Sequence, residues 1–130
     1  MVRKFSSFIF LVSALVLLAG CGSSQVKVTA ADNGRQLNAS VGQLIVVTLA
    51  GNPTTGYTWE AQDLDSGMLQ QIGSTEFKSG NSGLVGAGGN LTLTFKALKP
   101  GTTNLTLIYH RPWETGVKPL QSFTATIIVK

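Results

Sequence analysis

The chain has 130 residues, with ten Lys and Arg, six Asp and Glu, one His and one Cys. That length fits one domain. A single Cys excludes an internal disulfide and any multi-cysteine zinc or iron–sulfur centre, and a catalytic histidine has to be His110.

The formal charge of +4 averages over two unlike segments. Arg3 and Lys4 precede an apolar run of eleven residues, Phe8 to Leu18, broken only by Ser13. Such a run is too short to span a bilayer stably and reads as a signal peptide. It ends in Leu18-Ala19-Gly20-Cys21, which resembles the bacterial lipobox. That resemblance implies cleavage before Cys21 and a diacylglyceryl group on its thiol. The expected organisation is residues 1–20 removed, 21–25 as lipidated Cys and spacer, and 26–130 as the domain. Two or more acyl chains make such an attachment stable. The remaining 110 residues are about 38% apolar (42 of 110) with eight basic and six acidic side chains, net +2. No Lys/Arg cluster is left, so nucleic acid is not an expected partner.

Strand signals dominate the rest. Val26 to Ala30 alternates with period two, and Gln43 to Ala50 contains the β-branched run Ile45-Val46-Val47-Thr48. Tyr57, Trp59 and Ala61 share one face of the next candidate. Gln70 to Phe77, Asn90 to Ala97, Thr103 to Tyr109 and Ser122 to Lys130 follow, the last three with apolar residues at alternate positions. A one-turn helix at Ala61 to Met68 is the only competing signal. About seven short strands separated by turns such as Lys99-Pro100-Gly101 predict an all-β chain: an immunoglobulin-like antiparallel β-sandwich with Trp59 in its core. Apolar burial at ~25 cal/mol per Å² is enough to hold such a sandwich without disulfides.

Three connections are more elaborate than a sandwich requires. Asn52-Pro53-Thr54-Thr55-Gly56-Tyr57 combines a fixed φ at Pro53, two β-branched Thr and a Gly open to positive φ. It predicts a stiff loop of small residues, and a well-made turn fits the same residues. Ser79 to Gly89 holds five glycines in eleven residues, among them Leu84-Val85-Gly86-Ala87-Gly88-Gly89. Such a segment offers bare backbone to a partner, or is simply a surface hairpin. It is no phosphate loop, because no Lys-Ser/Thr and no helix follow it. In His110-Arg111-Pro112-Trp113-Glu114 the Trp suits an exposed interface anchor. The alternative has Arg111 stacked on Trp113 or paired with Glu114.

Taken in order, Asn-Pro-Thr-Thr-Gly-Tyr with Trp59 two residues on, then Gly-x-Gly-Gly, then Arg-Pro-Trp-Glu, the chain from Val26 to Lys130 resembles the chagasin family of cysteine-peptidase inhibitors. The resemblance implies that three loops at one end of the sandwich clamp the cleft of a papain-like peptidase, reversibly and without a covalent bond. Asn52 to Gly56 would be the central wedge, with Thr54 nearest the enzyme's catalytic Cys-His pair and Pro53 and Thr55 keeping its shape. Gly86 to Gly89 would lie against the non-primed side through its backbone. Arg111 and Trp113 would grip the primed side, flanked by Pro112 and Glu114.

A protein-binding adaptor of the cell envelope on the same fold is the other reading of the residues. An enzyme would need a triad from His110, one of Asp32, Asp63 or Asp65, and a Ser, and the chain has no Gly-x-Ser-x-Gly elbow. The expectation is therefore a monomeric non-enzyme without metal or cofactor. Its expected partners are a papain-like peptidase and, through Cys21, a membrane. Gly22 after the lipidated Cys points to the outer membrane, facing the periplasm, if the cell has one.

Overall fold

The computed structural model describes residues 24–80 and 88–130. Cys21, the segment expected to be a leader, and Leu84, Val85, Gly86 and Ala87 lie outside the described residues. The described residues form nine strands: β1 (Val26–Val28), β2 (Gln36–Ala39), β3 (Leu44–Gly51), β4 (Thr58–Gln62), β5 (Leu69–Gln71), β6 (Glu76–Ser79), β7 (Gly89–Ala97), β8 (Gly101–His110) and β9 (Gln121–Val129). One sheet runs β1-β3-β7-β5 with β6 also on β7, and the other runs β2-β9-β8-β4.

The two sheets bury opposed rows of alternate residues. Ile45, Val47 and Leu49 of β3 and Leu91, Leu93, Phe95 and Ala97 of β7 face Leu105, Leu107 and Tyr109 of β8 and Phe123, Ala125, Ile127 and Val129 of β9. Period-two alternation puts every second side chain into the space between sheets, which is why these strands form the core. Trp59 on β4 is buried with them, and its indole N–H donates to the Ala50 carbonyl at 3.0 Å. Among the described residues no charged side chain is buried, so apolar packing, with a few hydrogen bonds such as that of Trp59, joins the layers.

Three features depart from the sequence expectation. Gln36–Ala39 forms an additional edge strand. The stretch expected as one strand from Gln70 to Phe77 is two, β5 and β6, separated by a turn in which the Ile72 N–H bonds the Thr94 carbonyl. The sandwich is also not wholly antiparallel: β1 pairs parallel to β3, and β2 parallel to β9. Both are short edge strands reached by crossing between sheets, a connection that leaves them parallel to their neighbours. The helical turn considered for Ala61 to Met68 does not form. β4 continues to Gln62, and a turn follows in which the Met68 N–H donates to the Asp65 carbonyl at 3.0 Å.

This topology gathers three connections at one pole. Gly51, ending β3, pairs with Gly89, opening β7. Thr58, opening β4, pairs with His110, ending β8, and Tyr109 pairs with Gln121, opening β9. The β3–β4, β6–β7 and β8–β9 connections therefore leave the sandwich on the same side.

Candidate functional site

The β3–β4 connection is a single 3-10 turn, Pro53–Thr55, capped by Asn52. Pro53 at its first position supplies the helical φ and lacks only an N–H that would be unsatisfied there anyway. The Asn52 side-chain oxygen accepts from the Thr54 N–H at 3.1 Å and from the Thr54 hydroxyl at 2.6 Å. The Thr55 hydroxyl donates to the Asn52 carbonyl at 2.6 Å, and the Gly56 N–H closes the turn on the Pro53 carbonyl at 3.0 Å. Both Thr hydroxyls are thus engaged within the turn, which fixes side chains already stiff at χ1. Gly56 ends it in the left-handed region, φ +84°, where a Cβ is penalised. The backbone, Pro53 and the Thr side chains are solvent-facing at the pole.

The turn is braced from the core by an aromatic stack. Tyr109 lies between Tyr57 and Trp59, with ring centroids 5.2 and 5.1 Å away, and its hydroxyl accepts the Asn52 N–H at 3.0 Å. A buried strand residue of the second sheet therefore reaches across the sandwich to hold the first residue of the turn.

The β8–β9 connection braces it from outside. Arg111 Nε donates to the Thr55 carbonyl at 3.0 Å, its guanidinium sits 4.5 Å from the Tyr57 ring centroid, and its Nη1 reaches Glu114 at 3.2 Å. Of the two local arrangements open for Arg111, pairing with Glu114 is present, and the stacking partner is Tyr57 in place of Trp113. Trp113 is 68% exposed, and the six-membered ring of its indole lies against Gly56, where a Cβ would collide with it.

Of the β6–β7 connection, the described residues give the two feet. The Gly80 N–H faces the Gly88 carbonyl at 3.3 Å, and Gly88 approaches the Gly51 carbonyl and Asn52. A Cβ at Gly89 would run into the Lys78 carbonyl, so the hairpin closes at this spacing only with Gly there. The structure thus brings Asn52 to Tyr57, Gly88, Gly89, Arg111, Trp113 and Glu114 to one pole, with Pro112 between the last named pair and Arg111.

Among the relationships not visible in the sequence are two made by neighbouring residues at the end of β8. Tyr109 reads there as a core residue only, and its alternation gives no sign of the bond to Asn52. His110 turns to Glu60 on β4, with Nε2 2.7 Å from the carboxylate, and not to Asp32, Asp63 or Asp65. No metal-binding group of three or more His, Cys, Asp or Glu occurs among the described residues.

The family described as "Chagasin family peptidase inhibitor I42" matches residues 38–127, which contain all of the turn and both braces. The chain belongs to the chagasin family. As a member it is a peptidase inhibitor and not an enzyme. It is 37% identical to Amoebiasin-2 of Entamoeba histolytica over 95 residues, 72% of this chain and 76% of that protein. It is 34% identical to Chagasin of Trypanosoma cruzi over 104 residues, 75% of this chain and 92% of the other. The crystal structure of a cysteine protease inhibitor from Entamoeba histolytica is similar with a TM-score of 0.69 and 28% identity, covering 81% of this chain and 94% of that one. These coverages make the chagasin-like region essentially the whole described domain.

Proposed function

We propose that this chagasin-family domain inhibits papain-like cysteine peptidases reversibly by occlusion, with the Asn52 to Gly56 turn as the wedge that enters the cleft. The observation that carries this reading is the bracing of that turn on two sides, by Tyr109 from the core and by Arg111 and Trp113 from the neighbouring connection. A segment already held in its bound shape loses little conformational entropy on binding, so more of the contact energy appears as affinity. The same internal bonds resist the extended pose that a substrate segment adopts, which favours occlusion over cleavage. Thr54, at the middle of the turn, would approach the catalytic pair of the enzyme. Trp113, a large exposed aromatic beside the wedge, suits a hot-spot contact on the primed side, with Arg111 next to it. Gly86 to Gly89 would supply the opposite grip through backbone groups.

The mature domain carries no thiol other than Cys21, so no disulfide to the peptidase's catalytic Cys is part of this mechanism. On the lipobox resemblance, Cys21 holds a diacylglyceryl anchor in the cell envelope, at the outer membrane facing the periplasm where two membranes exist. The domain works as a monomer.

Titration of papain with the mature domain tests the inhibitory reading. Stoichiometric, slowly reversible loss of activity with the domain left intact is the expected result. Absence of inhibition at micromolar concentration would instead assign the fold to an adaptor, and progressive cleavage of the turn would make it a substrate. Incorporation of labelled palmitate, lost in Cys21→Ser, tests the anchor.

A further inference from the structure

Both ends of the described domain lie at the pole opposite the wedge. Val26, the first residue of β1, pairs with Ile45 near the start of β3, whereas the Asn52 turn follows the end of β3. Val129, the last residue of β9, pairs with Gly101 at the start of β8, whereas Arg111 follows its end. The chain is fastened at that far pole even before β1. The Gln43 side-chain amide donates to the Ser24 carbonyl and stands 3.4 Å from the Ser24 hydroxyl, while the Gln43 side-chain oxygen accepts the Ser40 N–H at 2.9 Å. β8 is ten residues long, which at about 3.3 Å per residue separates the two poles by roughly 30 Å.

Only Gly22 and Ser23 stand between Cys21 and the fastened Ser24. Fully extended, that link reaches at most ~10 Å, at about 3.5 Å per residue. To turn the wedge towards the bilayer, the link would have to run the length of the sandwich, about three times its reach. The pole next to the link carries Lys96, Lys99 and Lys130 against Asp63 and Asp65, so these side chains present no net negative charge to an anionic leaflet.

We infer that, on the reading that Cys21 carries the lipid, the protein stands upright on its membrane with the wedge, Arg111 and Trp113 facing away from it. Its partner is then a papain-like peptidase free in the adjoining aqueous phase. A peptidase seated on the same bilayer with its cleft near the headgroups is out of reach.

The test uses the full chain, expressed with its leader, purified as the processed lipoprotein and reconstituted into vesicles containing an acceptor lipid. Ser40→Cys, at the pole that carries the link, and Lys118→Cys, at the pole that carries the wedge, are labelled after reconstitution with an impermeant donor dye, so that only outward-facing copies report. Lipidated Cys21 has no thiol to take the dye. Energy transfer at least threefold stronger from position 40 than from position 118 is expected, together with inhibition of papain by intact vesicles in proportion to the outward-facing protein. Equal or reversed transfer overturns the upright arrangement, and so does inhibition by outward-facing copies that appears only after detergent is added. Failure of the underlying reading gives different results, each of which removes the premise and the inference with it. Protein that does not float with the vesicles carries no anchor, and detergent-solubilised protein that leaves papain active is no inhibitor of it.

Discussion

The indole of Trp113 packs so closely on Gly56 that a Cβ at position 56 would collide with the Cη2 corner of its six-membered ring. The contact joins the Asn52 to Gly56 turn to the connection beside it, and it makes Gly56 a double requirement: φ is +84°, and the space is taken. Gly56→Ala therefore has two costs. Left-handed backbone at a non-Gly residue costs ~1–3 kcal/mol, and the indole must move. The expected outcome is a melting temperature lowered by about 4–8 °C per kcal/mol lost, with at least a tenfold rise in the inhibition constant for papain. Because removal of the indole relieves the collision but not the φ penalty, Gly56→Ala and Trp113→Ala combined should be less than additive. Additive effects on inhibition would show that the two residues act independently.

Trp113→Ala by itself separates binding from stability. The side chain is 68% exposed, so its loss removes little buried area and should leave the melting temperature nearly unchanged. Exposed aromatics beside a binding element are where interface energy concentrates. The inhibition constant should rise at least tenfold, corresponding to ~1.4 kcal/mol or more, and Trp113→Phe should recover part of it. A folded Trp113→Ala domain with an unchanged constant would take Trp113 out of the contact set.

The sandwich was legible wherever both members of a strand pair alternate strictly. Leu91-Leu93-Phe95 and Leu105-Leu107-Tyr109 announce their inward faces without help from the rest of the chain. β2 was not legible, because Gln36 and Asn38 point outward and only Leu37 and Ala39 turn in. Four residues with two small apolar faces become a strand only because β9 offers a parallel edge, which is a tertiary effect that local pattern does not carry. The site divides in the same way. The stiffness of Asn52 to Gly56 follows from Pro, Thr and Gly in that order, and the three connections were named from their motifs. Their mutual bracing was not, since Arg111 meets Thr55 and Tyr109 meets Asn52 across more than fifty residues. No local signal marks which of several exposed carbonyls a guanidinium will choose.

Arg111 tests whether that bracing matters. In the free domain its guanidinium serves Thr55, Glu114 and the Tyr57 face together, a planar fork that an ammonium group cannot reproduce. The side chain is 38% exposed, so solvent screens the ion pair and the net loss on Arg111→Ala should be modest, about 1 kcal/mol. Papain inhibition should weaken about fivefold, and Arg111→Lys should recover little of it. A residue that only touches the peptidase would leave the free domain unaltered. A positioning role predicts instead that the Thr54, Thr55 and Gly56 amide resonances of uncomplexed Arg111→Ala shift. If inhibition weakens while those resonances stay in place, Arg111 acts by direct contact.

Tyr109→Phe isolates the brace from the core. The ring sits between Tyr57 and Trp59 and is 6% exposed, so Phe keeps the packing and deletes only the hydroxyl that accepts the Asn52 N–H at 3.0 Å. Loss of one such neutral bond costs ~1 kcal/mol of stability, which at this domain size lowers the melting temperature by about 4–8 °C per kcal/mol. The Pro53–Thr55 turn is capped by Asn52, so the same change should loosen its entry angle. Faster hydrogen exchange at the Asn52 and Thr54 amides is expected, together with a three- to tenfold rise in the inhibition constant (about 0.7–1.4 kcal/mol) carried mainly by faster dissociation. Stability lost with inhibition unchanged would confine Tyr109 to the core and leave preorganisation of the turn to Arg111 and Trp113 alone.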